Sequence, residues 1–95
     1  MPHFVLIGRD RPDGLELRLK NREEHLKGLS ALQAAGRLVA AGPIRDGEDK
    51  PRGSVVIFAA ENLEAARALM SKDPYVRENV FASWTVEPYL VVYPR

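Results

Sequence analysis

The chain contains no cysteine, which excludes a disulfide framework, a thiolate nucleophile and a cysteine-ligated zinc or iron–sulfur site. Its two histidines, His3 and His25, are too few for a convincing metal cluster, so we expect no metal site. A glycine-rich phosphate loop is also missing, because the segment from Gly42 to Gly53 lacks the required pattern and does not lead into a helix. We therefore expect a protein that works without a cofactor.

Neither charge nor hydrophobicity is concentrated along the chain. There are 14 Lys and Arg residues against 13 Asp and Glu residues, so nothing indicates a nucleic-acid-binding or polybasic membrane surface. No apolar run approaches the length needed to cross a bilayer, and the N-terminus lacks the basic region of a signal peptide. We expect a cytoplasmic protein without nucleic-acid or membrane partners, and the 95 residues fit a single domain over 1–95.

The elements that are present predict a β-α-β-β-α-β order. Gly36 is a suitable C′ residue for the first helix, and Asn62 is a suitable N-cap for the second. The charged stretch 45–52 predicts a mobile loop, and the Asp73-Pro74 pair predicts a helix end. This order is typical of a ferredoxin-like α+β fold, a four-stranded antiparallel sheet with two helices on one face. The predicted strands are 3–9, 37–42, 54–60 and 81–86, with a further short one at 89–93, and the predicted helices are 15–35 and 63–72.

The first and third predicted strands are apolar on both faces. In the first, Phe4 and Leu6 alternate with Val5 and Ile7, and residues 55–58 repeat the pattern in the third. Two helices cover only one face of such a sheet, yet a strand that is apolar on both sides is normally buried on both. A second copy of the chain is the simplest cover. We therefore expect a homodimer packed sheet against sheet through the open face, forming a dimeric α+β barrel.

One face of the first predicted helix changes from basic to apolar along its length. Arg18, Arg22, His25, Leu29 and Leu32 follow one another at spacings of four and three residues, so all five project from one side. The leucines face the core, whereas the cationic and titratable groups stand where a pocket would replace it. Two alternatives stay open: a lone histidine is usually a core or boundary residue, and long arginines can extend to solvent beyond the sheet edge.

Asp73 is the candidate partner of His25. Taken alone, Asp73-Pro74-Tyr75 is a helix stop with an aromatic anchor, but both helices of this fold lie on one face of the sheet, so Asp73 can approach His25. A carboxylate that accepts from one imidazole nitrogen fixes the tautomer and raises the basicity of the other nitrogen, which suits general acid–base catalysis. Gly42-Pro43 and Gly53-Ser54 are expected at the ends of neighbouring strands, where glycine permits close backbone approach or unusual dihedrals.

An ordered set of short motifs resembles the YCII-related (YciI-like) family over nearly the entire chain. The motifs are Arg-Glu-Glu-His-Leu at 22–26, Gly-Arg-Leu at 36–38, Ala-Gly-Pro at 41–43, Gly-Ser at 53–54 and Asp-Pro-Tyr at 73–75. The resemblance implies a dimeric α+β barrel with a ferredoxin-like protomer. It also implies a pocket-facing pair at His25 and Asp73, with Ser54 lining the same pocket. The best-defined chemistry in the family is a dehydrochlorinase acting on a chlorinated hydroxyquinol.

Together the residues favour a cofactor-independent enzyme of lyase or isomerase type, acting on a small anionic cyclic or aromatic metabolite. His25 would be the general base or acid, and Asp73 would be its orienting partner. Arg18 or Arg22 would bind the charge of the substrate, while Ser54 and Tyr75 would shape the pocket. The alternative is a non-catalytic small-molecule binding or accessory module, because this fold serves both roles.

Overall fold

Four strands form one antiparallel sheet with the spatial order β2-β3-β1-β4 in the computed structural model, which describes residues 1–95. This confirms the predicted ferredoxin-like architecture, with one additional short helix. None of the helices has the length and apolar content to span a bilayer. The strands are β1 (His3–Asp10), β2 (Leu38–Arg45), β3 (Pro51–Ala59) and β4 (Phe81–Tyr89), and the helices are α1 (Leu15–Ala34), α2 (Leu63–Ser71) and α3 (Pro74–Arg77).

The core lies between the helices and one face of the sheet. Phe4 and Leu6 of β1 and Phe58 of β3 are almost fully buried there, as are Met70 of α2 and Val86 of β4. The opposite face of the two central strands is also apolar but only half-buried, and it consists of Val5, Ile7, Val55 and Ile57. We call these four residues the open-face patch.

The β2–β3 connection is a tight hairpin turn, not the eight-residue mobile loop predicted over 45–52. Strand pairing continues to Arg45 opposite Pro51. The Asp46 carboxylate closes the turn by accepting the backbone N–H of Glu48 at 2.7 Å and that of Lys50 at 3.1 Å. These two hydrogen bonds to one side chain explain how a charged, turn-prone stretch forms a defined turn.

Longer strands place the two Gly-containing pairs inside β2 and β3, so the prediction that they lie at strand ends is wrong. Pro43 sits opposite Ser54 in the β2–β3 register, and because β2 is an edge strand a proline is tolerated there. A side chain at Gly53 would collide with the Gly8 carbonyl, so close approach is confirmed at this glycine. At Gly42 a Cβ would meet nothing within 4 Å, so the prediction of close backbone approach is wrong at that glycine.

The segment after α2 also differs from expectation. Asp73 does not merely end a helix: its carboxylate caps a new one, α3, which has Pro74 at its first turn. The same two residue types that stop one helix are preferred at the start of another. At the C-terminal end, β4 extends to Tyr89. The separate short strand predicted over 89–93 does not form, so that prediction is wrong.

The two predicted caps are found as expected. Asn62 accepts the backbone N–H of Ala65 at 2.7 Å and so begins α2. Gly36 adopts a φ of 71° just beyond α1, which is the left-handed conformation that ends helices. The two caps therefore mark where α1 ends and where α2 begins.

Candidate active site

The structure brings His25 of α1 and Asp73 together. The imidazole Nδ1 lies 2.7 Å from Asp73 Oδ2, and the two side chains are only 9% and 11% exposed. Nε2 of the ring has no hydrogen-bond partner in the protein. Every fully buried side-chain nitrogen or oxygen of the chain has such a partner, so Nε2 must be accessible to solvent. The carboxylate therefore occupies one ring nitrogen and leaves the other open.

Asp73 is held in place because its side chain also binds the backbone. Its second carboxylate oxygen, Oδ1, accepts the Tyr75 backbone N–H at 2.8 Å and caps α3. The exposed guanidinium of Arg77 ties α3 to α1 through Glu24, and it donates a hydrogen bond to the Lys72 carbonyl. The aspartate consequently meets His25 with a fixed orientation.

Tyr75 lies between the groups of the site. Its ring stacks on the His25 imidazole with centroids 3.9 Å apart and an interplanar angle of 14°. The Arg18 guanidinium carbon lies 4.5 Å from the centre of the same ring. Burial raises the pKa of Tyr75 above its ordinary value of 10.0, and the positive charge of Arg18 opposes that rise. The phenol is therefore protonated at neutral pH.

Arg18 is engaged in a buried ion pair that sequence reasoning missed. Its Nε and Nη2 donate to the two carboxylate oxygens of Asp10, each at 2.8 Å, and Nη2 also donates to Ser54 Oγ at 3.0 Å. The two charged side chains are 5% and 2% exposed. A signal for Asp10 existed: the alternation of Phe4, Leu6 and Gly8 continues to position 10 and places it on the helix-covered face.

Five of the six predicted site residues line one cavity, and Asp73 stands behind His25 outside it. The cavity is enclosed by α1, β2, β3 and Tyr75, and its volume is about 300 Å³. Arg22 is exposed at this cavity and has no carboxylate within ion-pair distance. The lining comprises Arg18, Leu19, Arg22, His25, Leu26, Leu29, Ala41, Gly42, Pro43, Pro51, Ser54 and Tyr75.

A second cavity of about 360 Å³ lies between α1 and the α2–α3 region. It reaches Asp73 but includes neither His25 nor Arg18, and its floor consists largely of core leucines and Met70. His25 lines the smaller cavity and not this one.

A concave site with a few polar groups converging on an apolar lining is the usual form of a small-molecule site.

The chain belongs to the YCII-related domain family, whose model matches residues 2–89. Protein YciI from Escherichia coli is 40% identical over 96 residues, which cover 95% of this chain and 98% of the relative. The family resemblance of the motifs is thereby confirmed.

Two solved structures extend the comparison. The 5-chloro-2-hydroxyhydroquinone dehydrochlorinase from Burkholderia phenoliruptrix, in complex with 2,5-dihydroxybenzoquinone, matches with a TM-score of 0.84 and 27% identity, and the match covers 93% of each chain. A dimeric ferredoxin-like protein from an uncultured marine organism matches with a TM-score of 0.54 and 19% identity over 100% of this chain and 94% of its own. The second match concerns the fold alone.

Proposed function

We propose that the protein is an acid–base enzyme of lyase or isomerase type that acts on a small, anionic, cyclic or aromatic compound. The observation that carries this proposal is the His25–Asp73 pair, in which Nδ1 is bound to the carboxylate and Nε2 is left open. With Nδ1–H donated to Asp73, Nε2 carries the lone pair that accepts a proton. Such a transfer needs no cofactor.

Asp73 supports this chemistry in two ways. It holds the imidazole in the tautomer that presents a basic Nε2, and its negative charge stabilises the imidazolium formed when a substrate proton is taken. In an isomerisation the same nitrogen returns the proton to another atom of the substrate. In an elimination, departure of a leaving group completes the step.

The charge distribution around the cavity supports an anionic substrate. Arg18 is matched by Asp10, so of the two arginines considered from the sequence only Arg22 has an unmatched charge. A volume of about 300 Å³ is at the lower end of ligand pockets and suits a compound of one ring. The dehydrochlorinase is named for a chlorinated, hydroxylated ring, and its structure holds a ring compound bearing several oxygens. We therefore assign substrate binding to Arg22, Ser54 and Tyr75, and a mainly structural part to Arg18.

We also infer that the protein works as a homodimer joined through the open-face patch. Four aliphatic side chains of the two central strands are left half-buried on that face. A contiguous apolar surface of this kind is characteristic of an interaction site. Pairing two copies by a two-fold axis covers the same patch on both.

The proposal is tested with the compounds of the dehydrochlorinase as probes. We expect turnover of 5-chloro-2-hydroxyhydroquinone, or binding of 2,5-dihydroxybenzoquinone, by the wild type. His25→Gln should lower turnover about 10²–10⁴-fold, the usual contribution of a general acid or base. His3→Gln, a change of the only other histidine, should leave it unchanged. Full turnover by the His25 variant would refute the acid–base role.

The Asp73→Asn variant tests whether Asp73 sets the tautomer of His25 or only packs against it. Because the asparagine amide donates to Nδ1, the proton should move to Nε2, and two-bond ¹H–¹⁵N NMR spectra of the neutral ring should show the exchanged tautomer. Turnover should fall with it. Binding of the probe by the wild type with no turnover by any form would make the chain a binding module.

A further inference from the structure

The Tyr75 hydroxyl has no hydrogen-bond acceptor in the protein, whereas the two side chains packed against its ring both have partners. His25 is bound to Asp73, and Arg18 to Asp10 and Ser54. The phenol O–H has no acceptor in the protein, because the side chain that approaches its oxygen is the Arg18 guanidinium, which can only donate. Yet the residue is only 2% exposed and lines the cavity, and the chain has no buried polar side-chain atom without a partner. The small accessible part of Tyr75 therefore includes its hydroxyl.

The ring that carries this hydroxyl is fixed from several directions. His25 stacks on it, the Arg18 guanidinium lies against it, and Phe81 meets it edge to face with centroids 6.0 Å apart. The Tyr75 backbone N–H is held by Asp73, the residue that orients His25. The phenol and the imidazole consequently share one support, and their relative position is set before a ligand enters. Groups preorganised in this way contribute most to stabilising charge that develops during a reaction.

We propose that Tyr75 is a second catalytic group of this site: its hydroxyl donates a hydrogen bond to the substrate oxygen on which negative charge develops as His25 withdraws a proton. This inference rests on the proposed function and deepens it by narrowing the substrate class. The substrate must carry an oxygen that is conjugated to the atom from which His25 takes the proton. Enols, hydroxyquinones and 1,3-dicarbonyl compounds have this character. The hydrogen bond leaves the proton on the phenol, so no further proton donor is required.

The surroundings of Tyr75 suit a neutral donor. Burial raises the pKa of the phenol, which keeps the proton in place at working pH. The positive charge of Arg18, which opposes the rise in the pKa of Tyr75, stabilises the partial negative charge that the phenol oxygen acquires as it donates. Asp10 keeps that guanidinium in position and prevents it from leaving the ring for a bound anion.

The experiment is a titration of wild type, Tyr75→Phe and Tyr89→Phe with 2,5-dihydroxybenzoquinone, followed by its visible absorbance. Phenylalanine keeps the stacked ring and removes only the hydroxyl, so we expect Kd to rise about 10- to 100-fold, as for loss of a hydrogen bond to a charged acceptor. Tyr89 is exposed on β4, and its variant should bind as the wild type does. Equal affinity of the Tyr75 variant and the wild type would overturn the inference while leaving the acid–base pair intact.

A second measurement on the wild type covers the case in which Tyr75→Phe does not fold. Bound 2,5-dihydroxybenzoquinone should slow exchange of one tyrosine hydroxyl proton enough for it to appear in the ¹H spectrum, with contacts to the His25 ring. Saturated protein without such a proton would overturn the inference. Failure of the wild type to bind the compound at all would overturn the proposed substrate class together with it.

Discussion

The two arginines on the basic side of α1, Arg18 and Arg22, have different surroundings although they are one helical turn apart. Arg18 points into the protein, where a carboxylate, a hydroxyl and an aromatic ring surround its guanidinium. Arg22 remains exposed at the cavity without an acidic partner. A matched buried cation shapes a site, whereas an unmatched exposed one attracts ligand charge. The difference depends on Asp10, whose position opposite Arg18 follows from the end of β1.

Removal of Asp10 should therefore be severe. Asp10→Ala leaves Arg18 buried and uncompensated, and we expect a loss of about 3–5 kcal/mol in the free energy of unfolding, which is a large part of the stability of a small domain. The control is Asp13→Ala, which breaks only the exposed pair with Arg11 and should cost about 1 kcal/mol or less. Urea unfolding measures both. Equal effects of the two variants would contradict the role assigned to the buried pair.

At this scale the sequence predicted which side chains share one face of α1 better than it predicted the ion-pair partner of Arg18. Helical spacing was enough to place Arg18, Arg22 and His25 on one side of α1, because that periodicity is a property of a single element. The pairing of Arg18 with Asp10 depends on how a strand end meets a helix start. A register shift between β1 and β4 at Arg9/Asp10 adds to this, and no local pattern reveals such a shift.

Two short elements of the fold each depend on one capping carboxylate. Asp46 closes the β2–β3 turn and Asp73 begins α3. Both segments were assigned from the sequence as features that interrupt structure, a mobile loop and a helix end. Turn and cap residues are the same few types, so their presence marks a change of direction without saying whether an ordered element follows. That ambiguity accounts for most of the misplaced boundaries.

The Asp46 turn should make stability depend on pH in the acid range. Backbone hydrogen bonds from Lys50 and Glu48 hold the pKa of Asp46 below its ordinary 3.8. A carboxyl with a depressed folded-state pKa stabilises the fold above the unfolded value, and this contribution disappears as the pH falls through the folded value. Thermal unfolding of wild type and Asp46→Ala should thus differ most near neutrality and converge in strong acid. The neighbouring Glu48→Ala variant should show no such convergence, and a constant gap for Asp46→Ala would contradict the prediction.

On the scale of the whole molecule, the sheet has one face covered by helices and one face left apolar. The alternation in β1 and β3 predicted both faces, since a period of two requires only the strand itself. A single chain does not reveal whether the open-face patch is covered, and the sequence favours a second copy only because that is the simplest cover. The ferredoxin-like class, in contrast, followed from the βαββαβ element order alone.

The dimer is tested by changing the patch and leaving the site intact. Light scattering coupled to size-exclusion chromatography should give twice the 10.6 kDa chain mass for the wild type. Ile57→Asp places a charge in the centre of the patch and should give a monomer, because burying an unpaired carboxylate costs several kcal/mol. Gln33→Asp on the exposed surface of α1 should leave the mass unchanged. A monomeric wild type at micromolar concentration would refute the dimer.

The division of the Asp73 carboxylate between a histidine and a helix start limits how this protein can diversify. One oxygen serves Nδ1 of His25 and the other serves the backbone N–H of Tyr75. Asparagine can keep the cap, but only by reversing the hydrogen bond to Nδ1, and most other replacements remove both contacts at once. Drift and directed evolution therefore have little room to adjust reactivity there independently of local folding. Leu19, Leu26 and Pro51 line the cavity and take no part in that arrangement. New substrate preferences within this lineage should therefore arise by change at those positions around an invariant aspartate.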